Sequence, residues 1–247
     1  MPVFRPLYAV SALAIVGATC CLSPGIHAQE LPTAGSSADE QSTGMPKPLT
    51  AGQTAAAREA ATATLTLLRS SLVSKGRQSL GFGSVAEVDE ATVGSPVQET
   101  FVRLDRLAAY TPGQPSIAII QPLGGLVVPV LVRGTVRCGV MLKPNGSAFT
   151  GVGVGQPRMT KLITDSVAAV AKAQGVPPTS LVVLRIPALY LTFVARSSNQ
   201  QTWLTPVSDA PAYSLRAGLE QNAQNVFLGL RSAAQNVHPS GVAAHLQ

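Results

Sequence analysis

The first 28 residues decide which part of this chain has to fold. Arg5 is the single basic side chain ahead of an apolar run, Leu7 to Gly17, that continues through Ala18, Thr19, Cys20, Cys21 and Leu22. A charged start, an apolar stretch, the helix-breaking Pro24-Gly25 and a small residue at Ala28 are the parts of a secretory signal peptide, with cleavage expected ahead of Gln29. Ile26 is large for the A-x-A slot, the one imperfect feature. The apolar stretch runs about 16 residues against the roughly 20 that span a bilayer, which puts cleavage ahead of a retained membrane anchor. A lipid-modified Cys20 or Cys21 would need a Leu-small-small sequence before it, and neither has one. The fold is therefore expected from residues 29–247, in a periplasm or outside the cell.

Export makes the cysteines informative. Two of the three, Cys20 and Cys21, lie in the leader, so Cys138 is left alone and no internal disulfide can form in the processed chain. Stability has to come from packing, and a chain of this length rich in Val, Ile and Leu has enough apolar surface for a full core. Losing Arg5 with the leader takes the 18 basic residues to 17 against 12 acidic ones. These are scattered singly (Arg58, Arg69, Lys75, Arg77, Arg103, Arg106, Arg133, Arg137), without the clustered face or stripe of a nucleic-acid binder.

Residues 29–50 are Ser, Thr, Gly, Pro and charge, a composition that does not offset the entropy of ordering, and read as a flexible polar linker. A single domain is expected over 51–237, with a disordered tail at 238–247. Gln53 to Ser74 is Ala-rich with Leu65, Leu68 and Leu72 on one side and Gly76 beyond, the pattern of a helix and its stop. Ser84-Val85-Ala86-Glu87 is a capping box opening a short helix to about Ala91. Val97 to Leu104 reads as a strand, and Asp105 to Tyr110 as a helical turn. Ile117–Gln121, Leu126–Val132, Val136–Leu142 and Ser147–Val154 read as strands of an antiparallel meander, joined through Arg133-Gly134 and Pro144-Asn145-Gly146. Pro129 has no amide proton, which assigns it to a sheet edge or a bulge.

Pro157 suits the first position of an amphipathic helix carrying Met159, Leu162, Ile163, Val167, Val170 and Ala171, stopped by Gly175. Strands follow at Leu181–Ile186, Ala188–Arg196 and Thr202–Val207, and a final helix is expected from Ser214 to Gln235 with Leu215, Leu219, Val226, Phe227 and Leu230 as its stripe. The class is α+β: an antiparallel sheet of several strands, meander plus hairpin, with three main helices packed on one face.

Catalytic chemistry finds little support. His27 leaves with the leader and His238 and His245 lie in the tail, so no histidine is placed to serve a nucleophile. Cys138 shares its alternation with Val136, Val140 and Leu142 and is expected to point inward, with Arg137 on the opposite face. Glu87, Asp89 and Glu90 lack the Asp-x-Asp-x-Asp-Gly spacing of a calcium loop and read as a solvated helix face. Gly151-Val152-Gly153-Val154-Gly155 precedes a helix but has neither Gly-Lys-Ser/Thr nor G-x-G-x-x-G, so its glycines read as room for another element to lie close. Trp203, Tyr190, Phe193 and Tyr213 are too few for a stacking platform, and Tyr190 is expected on an outer face. No catalytic, cofactor or metal residue is assigned.

The function expected is that of an exported, non-enzymatic module binding a protein or peptide, with Pro129 and Pro187 taken to mark exposed sheet edges where a strand could add. One alternative is an exported hydrolase working through Glu87, Glu99 and Asp105; the other is an envelope protein kept in the membrane by its apolar leader.

Overall fold

The computed structural model describes residues 44–71 and 76–237. The expected leader at 1–28, most of the linker and the tail at 238–247 lie outside them. The described part of the linker is docked. Gly44 N donates to Ile120 O at 2.8 Å, and Met45 and Leu49 each pack against buried apolar clusters.

The protein is mixed α and β. Six helices are present among the described residues: α1 (Ala51–Ser71), α2 (Gly76–Ser79), α3 (Val85–Asp89), α4 (Leu104–Ala108), α5 (Pro157–Gln174) and α6 (Ala223–Asn236). The strands are β1 (Thr92–Val93), β2 (Val97–Val102), β3 (Ile120–Val132), β4 (Thr135–Asn145), β5 (Ala148–Gly155), β6 (Val182–Ile186), β7 (Leu191–Ser198), β8 (Gln201–Pro206) and β9 (Gln221–Asn222). They form one mostly antiparallel sheet in the order β5-β4-β3-β2-β6-β7-β8-β9, with β1 also on β3. The exception is β2, which runs parallel to β6, Gln98 opposite Val182 through Phe101 opposite Arg185.

Local chemistry accounts for the boundaries. Ser84 caps α3 by accepting from Glu87 N at 3.2 Å, and the Glu87 carboxylate accepts from Gly83 N at 2.7 Å. The β3–β4 loop places both Arg133 (φ 49°) and Gly134 (φ 77°) in the left-handed region, the turn whose twist suits a two-residue hairpin. Pro157 opens α5, and Gly175 closes it at φ 64°. Gly76, expected as the stop of the first helix, instead opens α2.

Several expectations are corrected. Two expected strands, Ile117–Gln121 and Leu126–Val132, are one: Ser116–Ile119 is a 3-10 turn, and β3 runs on through Pro122 and Gly124-Gly125 as an irregularity opposite β2. The last helix begins at Ala223 rather than Ser214, where Asn222 caps it by accepting from Gln224 N at 2.9 Å. Leu215 is buried in a loop and Leu219 is exposed, so neither belongs to a helical stripe. Pro129 and Pro187 do not mark edges. Pro129 lies in the central strand β3, opposite Gly139 of β4, and its carbonyl accepts from Gly94 N at 2.8 Å. Its missing donor faces Gly94-Ser95-Pro96, the break where β1 ends and β2 begins, so no ladder bond is lost. Pro187 ends β6, an inner strand, by opening the 3-10 turn Pro187–Leu189.

The helices cover both faces of the sheet, not one. On β6, Val182, Leu184 and Ile186 join α4 and α6 in one apolar cluster, while the intervening Val183 packs with Ile163, Val167 and Val170 of α5. Alternation along a strand makes those opposite faces. On β3 and β4 the residues packed against α1, among them Val128, Val130 and Val140, are likewise offset by one from those meeting α5: Gly139 meets Thr160. So α1 and α6 share one face at opposite ends of the sheet, and α5 crosses the other.

Candidate functional site

The three acids weighed for hydrolysis stand apart, each held by an arginine. Glu87 on α3 pairs with Arg137 of β4 at 2.5 Å. Glu99 on β2, 8% exposed, accepts from Arg185 of β6 at 2.7 Å from Nε and 2.5 Å from a terminal nitrogen. Asp105 on α4 takes both nitrogens of Arg103 at 3.0 Å, which with partial opposition from burial holds its carboxyl below the usual aspartate range. Glu99 lies on the α5 face, because it is two residues from Val97, whereas α4 packs with α6 on the other. The geometry brings no two of these carboxylates into one cleft. Of the remaining acids singled out, Glu90 is bound at 2.8 Å by both nitrogens of Arg133, which lowers its pKa, and Asp89 lends its backbone carbonyl to Arg69 at 3.1 Å. The acidic face of α3 is thus tied by Arg137 and Arg133 to the β3–β4 hairpin.

Cys138 is fully buried among Val130, Val140 and the α1 side chains, and desolvation pushes its thiol up to about 12. Tyr190 is 94% exposed at φ 55° on the β6–β7 turn. Arg196 is clamped by Glu220 through two 2.7 Å bonds and lies 5.6 Å from the centre of the Trp203 ring. Among the described residues no group of three or more His, Cys, Asp or Glu side chains comes together. Two open clefts of about 600 Å³ are present, one lined by Arg103, Leu104, Ala108, Ala234 and Val237 between α4 and α6, the other by Asp209, Pro211, Ser214 and Arg216.

The sheet ends differ more than the clefts do. At one end β9 is two residues long and β8 finishes in Pro206, a short and interrupted edge. At the other, β5 is eight residues, Ala-Phe-Thr-Gly-Val-Gly-Val-Gly, without a charge or a proline. Among the described residues no strand pairs with its outer side. Its one irregularity is a bulge at Val152, which pairs with nothing on β4 and is 54% exposed. Natural sheets blunt such edges with lysine, proline, inward charge or a bulge, and of these β5 carries only the bulge at Val152.

The helix above continues the same character. A Cβ on Gly151 would run into the Thr64 hydroxyl, so α1 lies directly over β5. The opposite flank of α1 is anchored by Arg69, which donates to the carbonyls of Val88, Asp89 and Ala91 at 3.0, 3.1 and 2.7 Å. The flank turned toward β5 is Gln53, Ala56, Ala60, Thr64 and Leu67, residues three and four apart and all uncharged. The glycines mark room for a neighbour in the sequence and the prolines read as the edges; nothing local to Ala148–Gly155 marks it as an edge, a position that follows only from the sheet order.

Comparison of the chain with protein-family models, with curated proteins and with solved structures gave no match.

Proposed function

We propose that this chain is an exported, non-enzymatic module that holds a protein partner by adding a strand to its sheet along β5. The observation that carries the binding half is the uncharged eight-residue edge, unpaired on its outer side among the described residues, in a protein whose other sheet end is short and proline-terminated. Main-chain groups of such an edge supply affinity, and pockets beside it supply selectivity. The export half rests on Arg5 and the apolar run from Leu7 to Leu22. No helix among the described residues is long and apolar enough to cross a membrane.

A photo-crosslinking residue in place of Val152, carried by the full chain in its own host, tests both halves. A discrete adduct at Val152, on a protein whose first residue by mass spectrometry is Gln29, is the expected result. An intact Met1 in the cytoplasmic fraction would overturn export. Adducts formed equally well from the exposed Val85 of α3 would overturn binding at the edge.

A further inference from the structure

We infer that the cleft between α5 and β8 is a binding site for a small uncharged polyhydroxyl ligand, the size of a single sugar ring. The cleft measures about 200 Å³ and lies far from β5 in the strand order. Thr205 of β8 stands opposite Val194, which packs with α5, so the two share that face of the sheet. Thr205 is 2% exposed and lines the cleft, and among the described residues its hydroxyl has no hydrogen-bond partner. A hydroxyl so enclosed costs stability unless something bonds to it. Three further polar side chains line the same cleft. Ser166 of α5 is likewise without a partner, Gln174 donates its amide nitrogen to Glu220 at 3.4 Å and keeps its oxygen as an acceptor, and Glu220 supplies a carboxylate.

Charge selects the ligand class. The Glu220 carboxylate repels an anion, and its own charge is already matched by Arg196 through two 2.7 Å bonds, which removes the attraction for a cation. Two acceptors and two hydroxyls then favour a neutral ligand rich in hydroxyl donors. The α5 wall is apolar, with Ala169, Val170 and Ala173 three, four and seven residues from Ser166 on one side of the helix. A sugar ring matches both walls, its C–H face against the alanines and its hydroxyl rim toward Thr205 and Glu220. The volume lies below the roughly 300 to 1,000 Å³ of pockets for drug-sized ligands, which suits one ring rather than a chain of them.

Calorimetric titration of the full chain with glucose, galactose and mannose tests this, and at least one of them should saturate a single site. Gluconate, of similar size but anionic, should bind at least about tenfold more weakly than the best of the three. Thr205→Val keeps the side-chain shape and removes only the hydroxyl, so affinity should fall about tenfold with no drop in melting temperature. Ala173→Phe, at an exposed position of α5, sets a ring in the cleft and should abolish binding with an unchanged circular dichroism spectrum. Failure of all three sugars to saturate a site overturns the proposal. Gluconate binding as tightly as the best sugar overturns the ligand class, and sugar binding that survives both substitutions overturns the location. None of these results bears on crosslinking at Val152, so the site and the β5 edge stand or fall separately.

Discussion

At Gly151 the absence of one carbon sets how closely α1 can lie on the sheet. The Thr64 hydroxyl occupies the space a Cβ would need, and it is fixed there by its own 2.8 Å bond to the Ala60 carbonyl one turn back. Gly151→Ala should therefore destabilise by about 1 to 3 kcal/mol, the usual cost of overpacking, and Thr64→Ala in the same chain should recover most of it, since the hydroxyl and methyl in the way are gone. Urea unfolding of the two single variants and the double variant measures this, and additive losses would contradict the contact. The alternating glycines were legible as room for a neighbour; which side chain fills the room depends on α1, nearly ninety residues earlier, and no local pattern contains it. Cys138 was legible more completely, since alternation alone placed it inward. Burial raises its pKa from 9.0 to about 12. The folded state favours the neutral thiol, so the stability from this group is complete below the ordinary value and is lost as pH climbs through that window. Iodoacetamide at neutral pH should leave the native thiol unmodified and label it once urea unfolds the chain; labelling of the folded protein at the unfolded rate would show the site opens.

Among the elements, those defined by their own residues were read well. The helix from Pro157 to Gly175 and the Ser84 cap each carry their signal within a few positions. The failures come where distant pairing overrides a local cue. Pro122 and Gly124-Gly125 read as a break between two strands, yet β2 pairs with β3 on both sides of it, with Leu126 and Val127 beyond and Ile120 to Pro122 before, the irregularity being absorbed opposite Gln98–Thr100. Leu215 and Leu219 sit at helical spacing from Val226, but Gly218 at φ 75° and the Asn222 cap start the helix later. The pairing of Glu99 with Arg185 belongs to this scale, because it joins the two parallel strands across the middle of the sheet. Glu99→Ala leaves a half-buried guanidinium without its carboxylate. The expected loss is about 3 kcal/mol, at the low end for a buried pair because Arg185 keeps some water contact. Glu99→Gln retains an acceptor for Arg185 and should lose clearly less. Thermal unfolding of both variants decides the matter, and equal losses would assign the effect to packing volume rather than to the ion pair.

At the scale of the whole molecule, the order hairpin then helix occurs twice, β3-β4-β5 with α5 and β6-β7-β8-β9 with α6, and a reader of the sequence alone could take each for an independent unit. One sheet runs through both. β2 lies between β3 and β6, and its Val102 belongs to the cluster formed by Leu184, Phe193, Leu204 and Phe227, all from the second part. Helix α5, which ends the first part, packs against Val183 and Val194 of the second as well as against Val97. A chain stopped after Gly175 would thus expose one whole edge of β2 and strip α5 of its packing against Val183 and Val194, while keeping every hairpin of the first part. Non-local strand pairing is rewarded only when both partners are present, so the truncated chain should show no cooperative thermal transition and should bind a hydrophobic dye, while the complete chain melts in a single step. A sharp transition in the fragment would mean that β3-β4-β5 and α1 close a core of their own, and that the parallel β2–β6 contact joins two domains instead of completing one.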